Sequence, residues 1–492
     1  MEKSSQENKV VSENKTTLEV KSSQGEINFI NLFTDPKRYT FDDYGAGVLF
    51  ADTFADRLRY VPEKKSFYHY ADGVWGEDIS SIRANQYANQ MLQYLRSLVK
   101  ENIENEEFKG FVENLAKHSK RKTMIAEARS INPMSLCEFD NNPYLLNCKN
   151  CTLDLSDGIV KRLEHSPEHR LTRCTNVTYA PEAKCVRWET FSAEVMVGDM
   201  ELQKYLQKSL GYALCGDTSK ECFFLLYGPK TRNGKGTTCE TMRYIMGDYG
   251  QTFSSGCLSM KNPNSNTPSP ELSDLVGVRF ANVSEPQKGQ KLNVALIKQL
   301  TGGDMLKARA LYQNSIEYRP QFKLFINTNH LLEIDDDTIF SSSRLKMIPF
   351  LRHFDEKTRN ETLKVIFREP ENVSGIFNWL LKGYELFKKE GLNPPKKAVD
   401  ALTEYRRECD TIALFMEQRV DKLDSESKEY IKTGKLFEIY RQWCNEGDID
   451  EKSQKDFVKA LRDKNLVIRH NTAGHIVRGY KIKEVENTEK AE

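Results

Sequence analysis

The sequence predicts an α/β fold: a parallel-sheet core, a helical and mixed N-terminal domain ahead of it, and a winged-helix-like module at the C-terminus. Three observations carry this. First, the apolar runs "CFFLLYG" (from Cys222), "RFANVSE" (from Arg279) and "FKLFINTN" (from Phe322) alternate with helix-patterned segments, the signature of a parallel sheet. Second, the stretch before about residue 200 mixes a hairpin pattern with a long helical one. Third, the end of the chain reads helix, turn, helix, then two short strands around "NTAGH". A length of 492 residues accommodates two to four domains.

Residues 1–25 contain no aromatic residue, are rich in Ser, Lys and Glu, and read as a disordered tail. The N-terminal domain is expected over 26–195. In "SFYHYADGVWGED", bulky residues alternate around Asp72-Gly73, a favourable hairpin turn. A helical stretch follows at about 79–130. Its basic run "KHSKRK" reads first as a solvated helix end, with a nucleic-acid contact as the alternative. "NPYLLNCKNCTLDLSDGIVKRL" reads as short strands with a turn at Asp157-Gly158. Cys148 and Cys151 have the spacing of half a zinc site, but Cys174 and Cys185 do not supply a second tight pair, so two small buried side chains is the simpler reading.

The core is expected over 196–370. It opens with a helix carrying Leu202, Tyr205, Leu206 and Leu210 and closes before a helical linker at 371–430 and the C-terminal module at 431–492. Within the core, "KNPNSNTPSP" (261–270) is a loop.

Composition excludes several classes. Lys plus Arg is 72 and Asp plus Glu is 71, a net charge of +1, so nucleic acid would have to meet a local patch rather than a global field. No apolar run spans a bilayer, so no membrane partner is expected, and the N-terminus has no signal-peptide core. Eleven cysteines in such a chain imply free thiols and a cytoplasmic location.

The chemistry centres on "GPKTRNGKGTT", residues 228–238. A phosphate-holding loop needs a strand leading in, glycines that let backbone N–H groups face phosphate, a lysine, and a helix behind it. "CFFLLY" is the strand. Gly228, Gly234 and Gly236 free the backbone, Asn233 lies within the turn, and Lys235 is the β/γ-phosphate ligand. The segment departs from G-x-x-x-x-G-K-[ST] twice. The turn has one extra residue, and Gly236 occupies the usual magnesium-hydroxyl position, leaving Thr237 for that role with Thr238 beside it.

Hydrolysis needs an acid at a second strand end. Glu285 follows "FANV" and could hold Mg2+ or polarise water, with Asp304 as a helper. Asn329 ends "FKLFINTN", where it could contact the γ-phosphate or simply form a turn. Arg344 opens "RLKMIPF" after an acidic loop, as a surface arginine or as one reaching a neighbouring subunit's phosphate. "KARALYQNSIEYRP" alternates like a hairpin with its tip at 313–315, bearing Lys307, Arg309 and Arg319. It is either structural or a grip on a phosphate backbone.

Read in order, "SLGYALCGDTSKECFFLLYG", "RNGKGT", "NVSEP", "IKQLTGGD", "KARALY", "LFINTN" and "RLKMIPF" resemble the phage and plasmid primase-helicase family, a branch of superfamily 3 helicases. The resemblance covers most of the chain. It implies an AAA+-like P-loop ATPase core, ATP with Mg2+, a homo-hexameric ring, and translocation along single-stranded or forked DNA in replication of a mobile element. By position it makes Lys235 the Walker A lysine, Glu285 the Walker B acid, Asn329 the motif C sensor and Arg344 the arginine finger. Lys298, Gly302, Gly303, Asp304 and Arg309 fall in the family's extra motif, and Lys298, Lys307 and Arg309 become DNA contacts. The segments before 196 resemble the family's helicase-associated domain. No Asp-x-Asp strand end precedes the loop, and Asp448-Ile449-Asp450 sits in a turn, so primer synthesis is expected of a separate primase if of any. Two alternatives stay open: a DNA-binding replication initiator that uses ATP only to assemble, and a nucleotide kinase.

Overall fold

Alternating apolar residues buried on both faces make the central sheet the organiser of the chain. The computed structural model describes residues 27–483 apart from 103, 260–269, 284, 310–314, 335, 425, 426, 428, 448, 450, 467, 472 and 473. The N-terminal tail, nearly all of the Pro/Asn/Ser loop, the hairpin tip at 313–314, Asp448 and Asp450, and the side chains of Arg469 and His470 therefore lie outside the described residues.

The N-terminal unit starts with α1 (Asp43–Thr53), capped by the Asp42 carboxylate accepting from the Gly45 N–H at 2.7 Å. Strands β1 (Leu58–Val61), β2 (Ser66–Ala71) and β3 (Val74–Glu77) form an antiparallel meander. Its second turn is Asp72-Gly73, both at positive φ, as the sequence suggests. Helix α2 (Ile82–Glu101) buries Ala84, Tyr87, Ala88, Met91, Leu92, Leu95 and Leu98, one stripe at helical spacing, against α1, α3 (Glu106–Leu115) and α4 (His118–Ala128). Two cations of the basic run are structural: Lys120 pairs with Asp43 at 2.8 Å, and Arg121 donates to the carbonyls of Leu115 and Ala116.

Strands β4 (Leu145–Cys148), β5 (Cys151–Asp154) and β6 (Lys161–Leu163) make a second antiparallel sheet, with Cys148 opposite Cys151 as buried free thiols. Helices α5 (Val186–Val195) and α6 (Met200–Tyr212) then lead into the core. The core elements are β7 (Phe223–Tyr227), α7 (Lys235–Met246), β8 (Gly250–Phe253), α8 (Pro270–Ser273), β9 (Phe280–Val283), α9 (Val294–Thr301), β10 (Leu306–Ala308), β11 (Ile316–Tyr318), β12 (Lys323–Thr328), α10 (Thr338–Ser341) and β13 (Leu345–Pro349). They are followed by α11 (Leu363–Ile366), α12 (Pro370–Glu390) and α13 (Lys396–Cys409).

The sheet is five-stranded and wholly parallel, in the order β13–β7–β12–β9–β8. Phe224, Leu226, Phe280, Phe325 and Ile348 face a core shared with α5, α6, α7 and α12. Phe223, Leu225, Ala281, Val283, Leu324, Ile326 and Met347 face the other side, with α9 and Tyr405 of α13. Burial on both faces explains why these strands read as continuous apolar runs.

Two charges at the start of apolar strands are also interior. Arg279, just before β9, donates to the carbonyls of Leu214 at 2.8 Å and Leu145 at 2.6 Å and lies over the Tyr249 ring. Lys323, the first residue of β12, donates to the carbonyls of Cys215, Asp217 and Gln321, and burial lowers its pKa to about 8. Together they tie the N-terminal edge of the sheet to β4 and the end of α6.

The C-terminal module runs α14 (Thr411–Arg419), β14 (Val420–Lys422), β15 (Tyr430–Lys432), α15 (Thr433–Gly447), α16 (Gln454–Asp463), β16 (Ile468–Asn471), β17 (Gly474–Arg478) and β18 (Tyr480–Ile482). Its three-stranded sheet is ordered β15–β17–β16, and α14, α15 and α16 share a core of Ile412, Phe415, Leu436, Tyr440, Phe457 and Leu461. Among the described residues no helix is long and apolar enough to cross a membrane.

Candidate functional site

In a parallel sheet the carboxyl ends of the strands face one crevice, and three neighbouring strands deliver three polar side chains there. After β7 the chain turns through 228–234 into α7. After β12 comes Asn329, and after β9 comes Glu285. Lys235 donates through Nζ to Asn329 Oδ1 at 2.7 Å and to the Gly228 carbonyl at 3.2 Å. Asn329 Nδ2 in turn donates to Glu285 Oε1. One hydrogen-bonded line thus joins a lysine, an amide and a carboxylate contributed by strands in the order β7–β12–β9.

The loop has its own scaffold. Asn233, buried, spans its mouth: Nδ2 donates to the carbonyls of Gly228 at 3.3 Å and Lys230 at 2.7 Å, and Oδ1 accepts from the Lys235 N–H at 3.4 Å. The segment after β13 straps the outside. The Phe354 N–H donates to the Arg232 carbonyl at 2.8 Å, and His353 Nδ1 lies 2.8 Å from the Thr231 carbonyl oxygen.

The three glycines have different reasons to be there. A Cβ on Gly228 would lie 2.3 Å from Asn233 Nδ2 and 2.5 Å from the Phe350 carbonyl oxygen. Gly234 has φ +91°, and a Cβ there would lie 2.4 Å from Val195 Cγ1 at the end of α5. Around Gly236 nothing lies within 4 Å of a Cβ position, so the protein's own packing does not demand glycine there. Gly234→Ala is therefore expected to destabilise the chain by about 2 kcal/mol, from the left-handed backbone and the Val195 contact. Gly236→Ala should leave stability unchanged or raise it by up to ~1 kcal/mol, because alanine is the better helix former. Urea unfolding of the two variants checks the contrast.

Electrostatics suit a polyanion. Burial pulls the Lys235 pKa down to about 8, opposed by the nearby Glu285 charge. The helix N-terminus adds positive potential. Thr238 is buried, its hydroxyl donating to the Gly234 carbonyl at 3.0 Å, whereas Thr237 is half-buried on the same turn. Glu285 is exposed. Among the described residues no group of three or more His, Cys, Asp or Glu could by itself hold a metal ion.

The remaining predicted residues lie elsewhere. Arg344 stands at the N-terminal edge of β13, its carbonyl accepting from the Phe223 N–H at 2.9 Å. The length of β7 puts it roughly 16 Å from the glycine loop at the other end. Its guanidinium donates to Thr301 Oγ1 at 3.0 Å and to Glu221 Oε2 at 2.5 Å. Asp304 sits at this same edge, 3.6 Å from the Cβ position of Gly302, and not beside Glu285. Lys298 is paired with Asp336 at 2.8 Å and also donates to Thr338 Oγ1; the Lys298 hydrogen bond holds the Asp336 carboxyl down at about 2. The hairpin arms exist as β10 and β11, with Leu306, Ala308 and Tyr318 buried at the base. Lys307 is exposed opposite Glu317, with which it forms an ion pair at 3.7 Å, and Arg309 is exposed. Glu221 and Thr301 lie inside the quoted segments "SLGYALCGDTSKECFFLLYG" and "IKQLTGGD" without being singled out there, because they meet Arg344 only through the fold. Asparagine beside a glycine is the one local signal for the span that Asn233 makes across the loop.

Comparisons with known proteins bear on this arrangement. Residues 47–197 match the family described as D5 N terminal like, and residues 226–344 match a family of unknown function, DUF5906. The relative named "Putative helicase L207/L206" of Acanthamoeba polyphaga mimivirus is 29% identical over 395 residues, covering 74% of this chain and 40% of the relative. The relative named "Putative helicase 022R" of Frog virus 3 is 25% identical over 271 residues, 52% of this chain and 27% of the relative. Primase D5 of Fowlpox virus is 23% identical over 253 residues, 48% of this chain and 31% of the relative. The chain thus spans well under half the length of these relatives. Among solved structures, the apo NrS-1 C terminal region aligns with a TM-score of 0.46 at 11% identity, covering 85% of this chain and 95% of that one.

Proposed function

We propose, from the premise that this chain belongs to the D5-like primase-helicase family, that it is an ATP-hydrolysing DNA helicase built on an AAA+-like P-loop core. It works as a homo-hexameric ring on single-stranded or forked DNA in replication of a mobile element. The observation that carries this reading is the line Lys235–Asn329–Glu285 at the carboxyl ends of three adjacent parallel strands.

The chemistry follows from the residues. The α7 amides beside Gly234 and Gly236 hold the β- and γ-phosphates, and Lys235 neutralises them. Asn329 releases its present partners to contact the γ-phosphate and the attacking water. Glu285 orients that water and takes up its proton. Thr237 and Glu285 would hold a magnesium ion, which when bound would supply charge neutralisation; one or two protein oxygens suffice for that ion beside a nucleotide. Arg344 is too distant from its own loop and serves the adjoining subunit, as a guanidinium that stabilises charge on a transferring phosphoryl group. Lys307 and Arg309 on the hairpin meet the DNA backbone. Lys298, already neutralised by Asp336, braces the segment behind α9.

The C-terminal order of helix, strand, two helices and a strand pair supports a winged-helix-like module. The test of the whole reading is strand displacement on forked DNA by the purified chain, with its size measured with and without ATP. Unwinding that requires ATP, by an ATP-stabilised ring, is expected. ATP-driven assembly and DNA binding without displacement would favour an initiator instead.

A further inference from the structure

The distal end of the sheet holds a cluster that the site above does not use. Arg344 is locked at both ends. Its backbone is fixed by the Phe223 hydrogen bond, and its guanidinium fork is divided between Thr301 Oγ1 and Glu221 Oε2. Thr301 is the last residue of α9, buried, and its hydroxyl donates to the Ile297 carbonyl at 2.8 Å while accepting from Arg344. Both functions of that hydroxyl are therefore committed, and its position is set by α9. Immediately after it come Gly302 and Gly303, the latter at φ +76°, then Asp304, Met305 and the first hairpin strand, β10. A Cβ on Gly302 would stand only 3.9 Å from Arg344 Nη1. The segment "LTGGD" thus lies between the guanidinium and the hairpin, in contact with one and continuous with the other.

We infer that Thr301 is the positioning residue through which the hairpin sets the orientation of Arg344, so that DNA held on β10–β11 aligns this arginine for hydrolysis in the adjoining subunit. The inference rests on the function proposed above. Glu221 is the resting counter-ion: half-exposed, it occupies the half of the fork that an incoming phosphate takes, whereas the buried Thr301 keeps the other half. A planar guanidinium held by one fixed acceptor retains its bidentate face for a second, anionic one. Displacement of the hairpin shifts the C-terminus of α9 and therefore the hydroxyl.

The experiment uses the full chain and measures kcat and KM for ATP with and without single-stranded DNA. Thr301→Val, which keeps the volume and removes the acceptor, is expected to lower DNA-stimulated kcat about 10-fold, the scale of one hydrogen bond to a charged group. KM should stay within about two-fold, because Arg344 acts on the charge of the transferring phosphoryl group rather than on ground-state ATP binding. Thr301→Ser keeps the hydroxyl and is expected to retain stimulation, and Thr301→Val should add nothing on an Arg344→Ala background. The inference is overturned if Thr301→Val is stimulated like the unaltered chain, if Thr301→Ser falls as far as Thr301→Val, or if the double variant is additive. Thr301→Ser and the unfolding midpoint of each variant guard against a loss that reflects folding alone. An unaltered chain without DNA-stimulated hydrolysis would instead contradict the helicase reading itself.

Discussion

Replacing Lys235 by alanine is expected to lower ATP hydrolysis by about 10³-fold, the scale of losing one preorganised charge from a phosphoryl-transfer site. The lysine is buried, with Asn329 Oδ1 at 2.7 Å and a carbonyl oxygen at 3.2 Å. Its removal should not lower stability, because a buried ammonium carries a desolvation cost that alanine does not. A pH dependence follows with a definite sign. Burial lowers the Lys235 pKa to about 8, so the empty site holds the cation at pH 7 and loses it as pH rises. Phosphate binds the protonated form, so the KM for ATP is expected to climb by up to about tenfold per pH unit above 8. Steady-state kinetics between pH 7 and 9 checks this.

The second large effect is expected at Glu285. Glu285→Gln should lower kcat by about 10²- to 10³-fold, the contribution of a positioned general base, while ATP still binds. The glutamine can accept the Asn329 hydrogen bond, so the line of side chains survives and only the charge is lost. Single-turnover experiments should find the variant holding uncleaved ATP. Asn329→Ala cuts the same line in the middle and should weaken hydrolysis, since it removes the hydrogen-bond partner that Lys235 and Glu285 share.

The contrast between loop and edge explains what could be read from the sequence. The strand before the glycine loop was legible from "CFFLLY" because both of its faces are buried, which makes every residue apolar. The helix after Gly234 was legible from the spacing of Met242, Ile245 and Met246, and Asp72-Gly73 from turn chemistry. These are local properties. That Glu285, Asn329 and Lys235 meet was anticipated only as strand ends in a parallel sheet; the order β7–β12–β9, which sets Asn329 in the middle, is decided by long-range pairing. Arg279 and Lys323 look like ordinary charged strand boundaries, yet both are interior because carbonyls from the segment after α6 and from β4 converge on them. No local pattern encodes such a convergence. Lys298 shows the same at the surface: its carboxylate partner lies 38 residues further along the chain.

The central claim is that the backbone amides and Lys235 at the end of β7 clasp a nucleoside triphosphate that is then cleaved. The direct measurement is ATP binding and hydrolysis by the purified chain, with and without single-stranded DNA, beside Gly236→Ala. Micromolar-to-millimolar ATP binding and DNA-stimulated cleavage are expected, with Gly236→Ala folded but impaired because its methyl group fills the open side of the loop. A chain that neither binds nor cleaves ATP, or a Gly236→Ala variant with unchanged kinetics, would contradict the account.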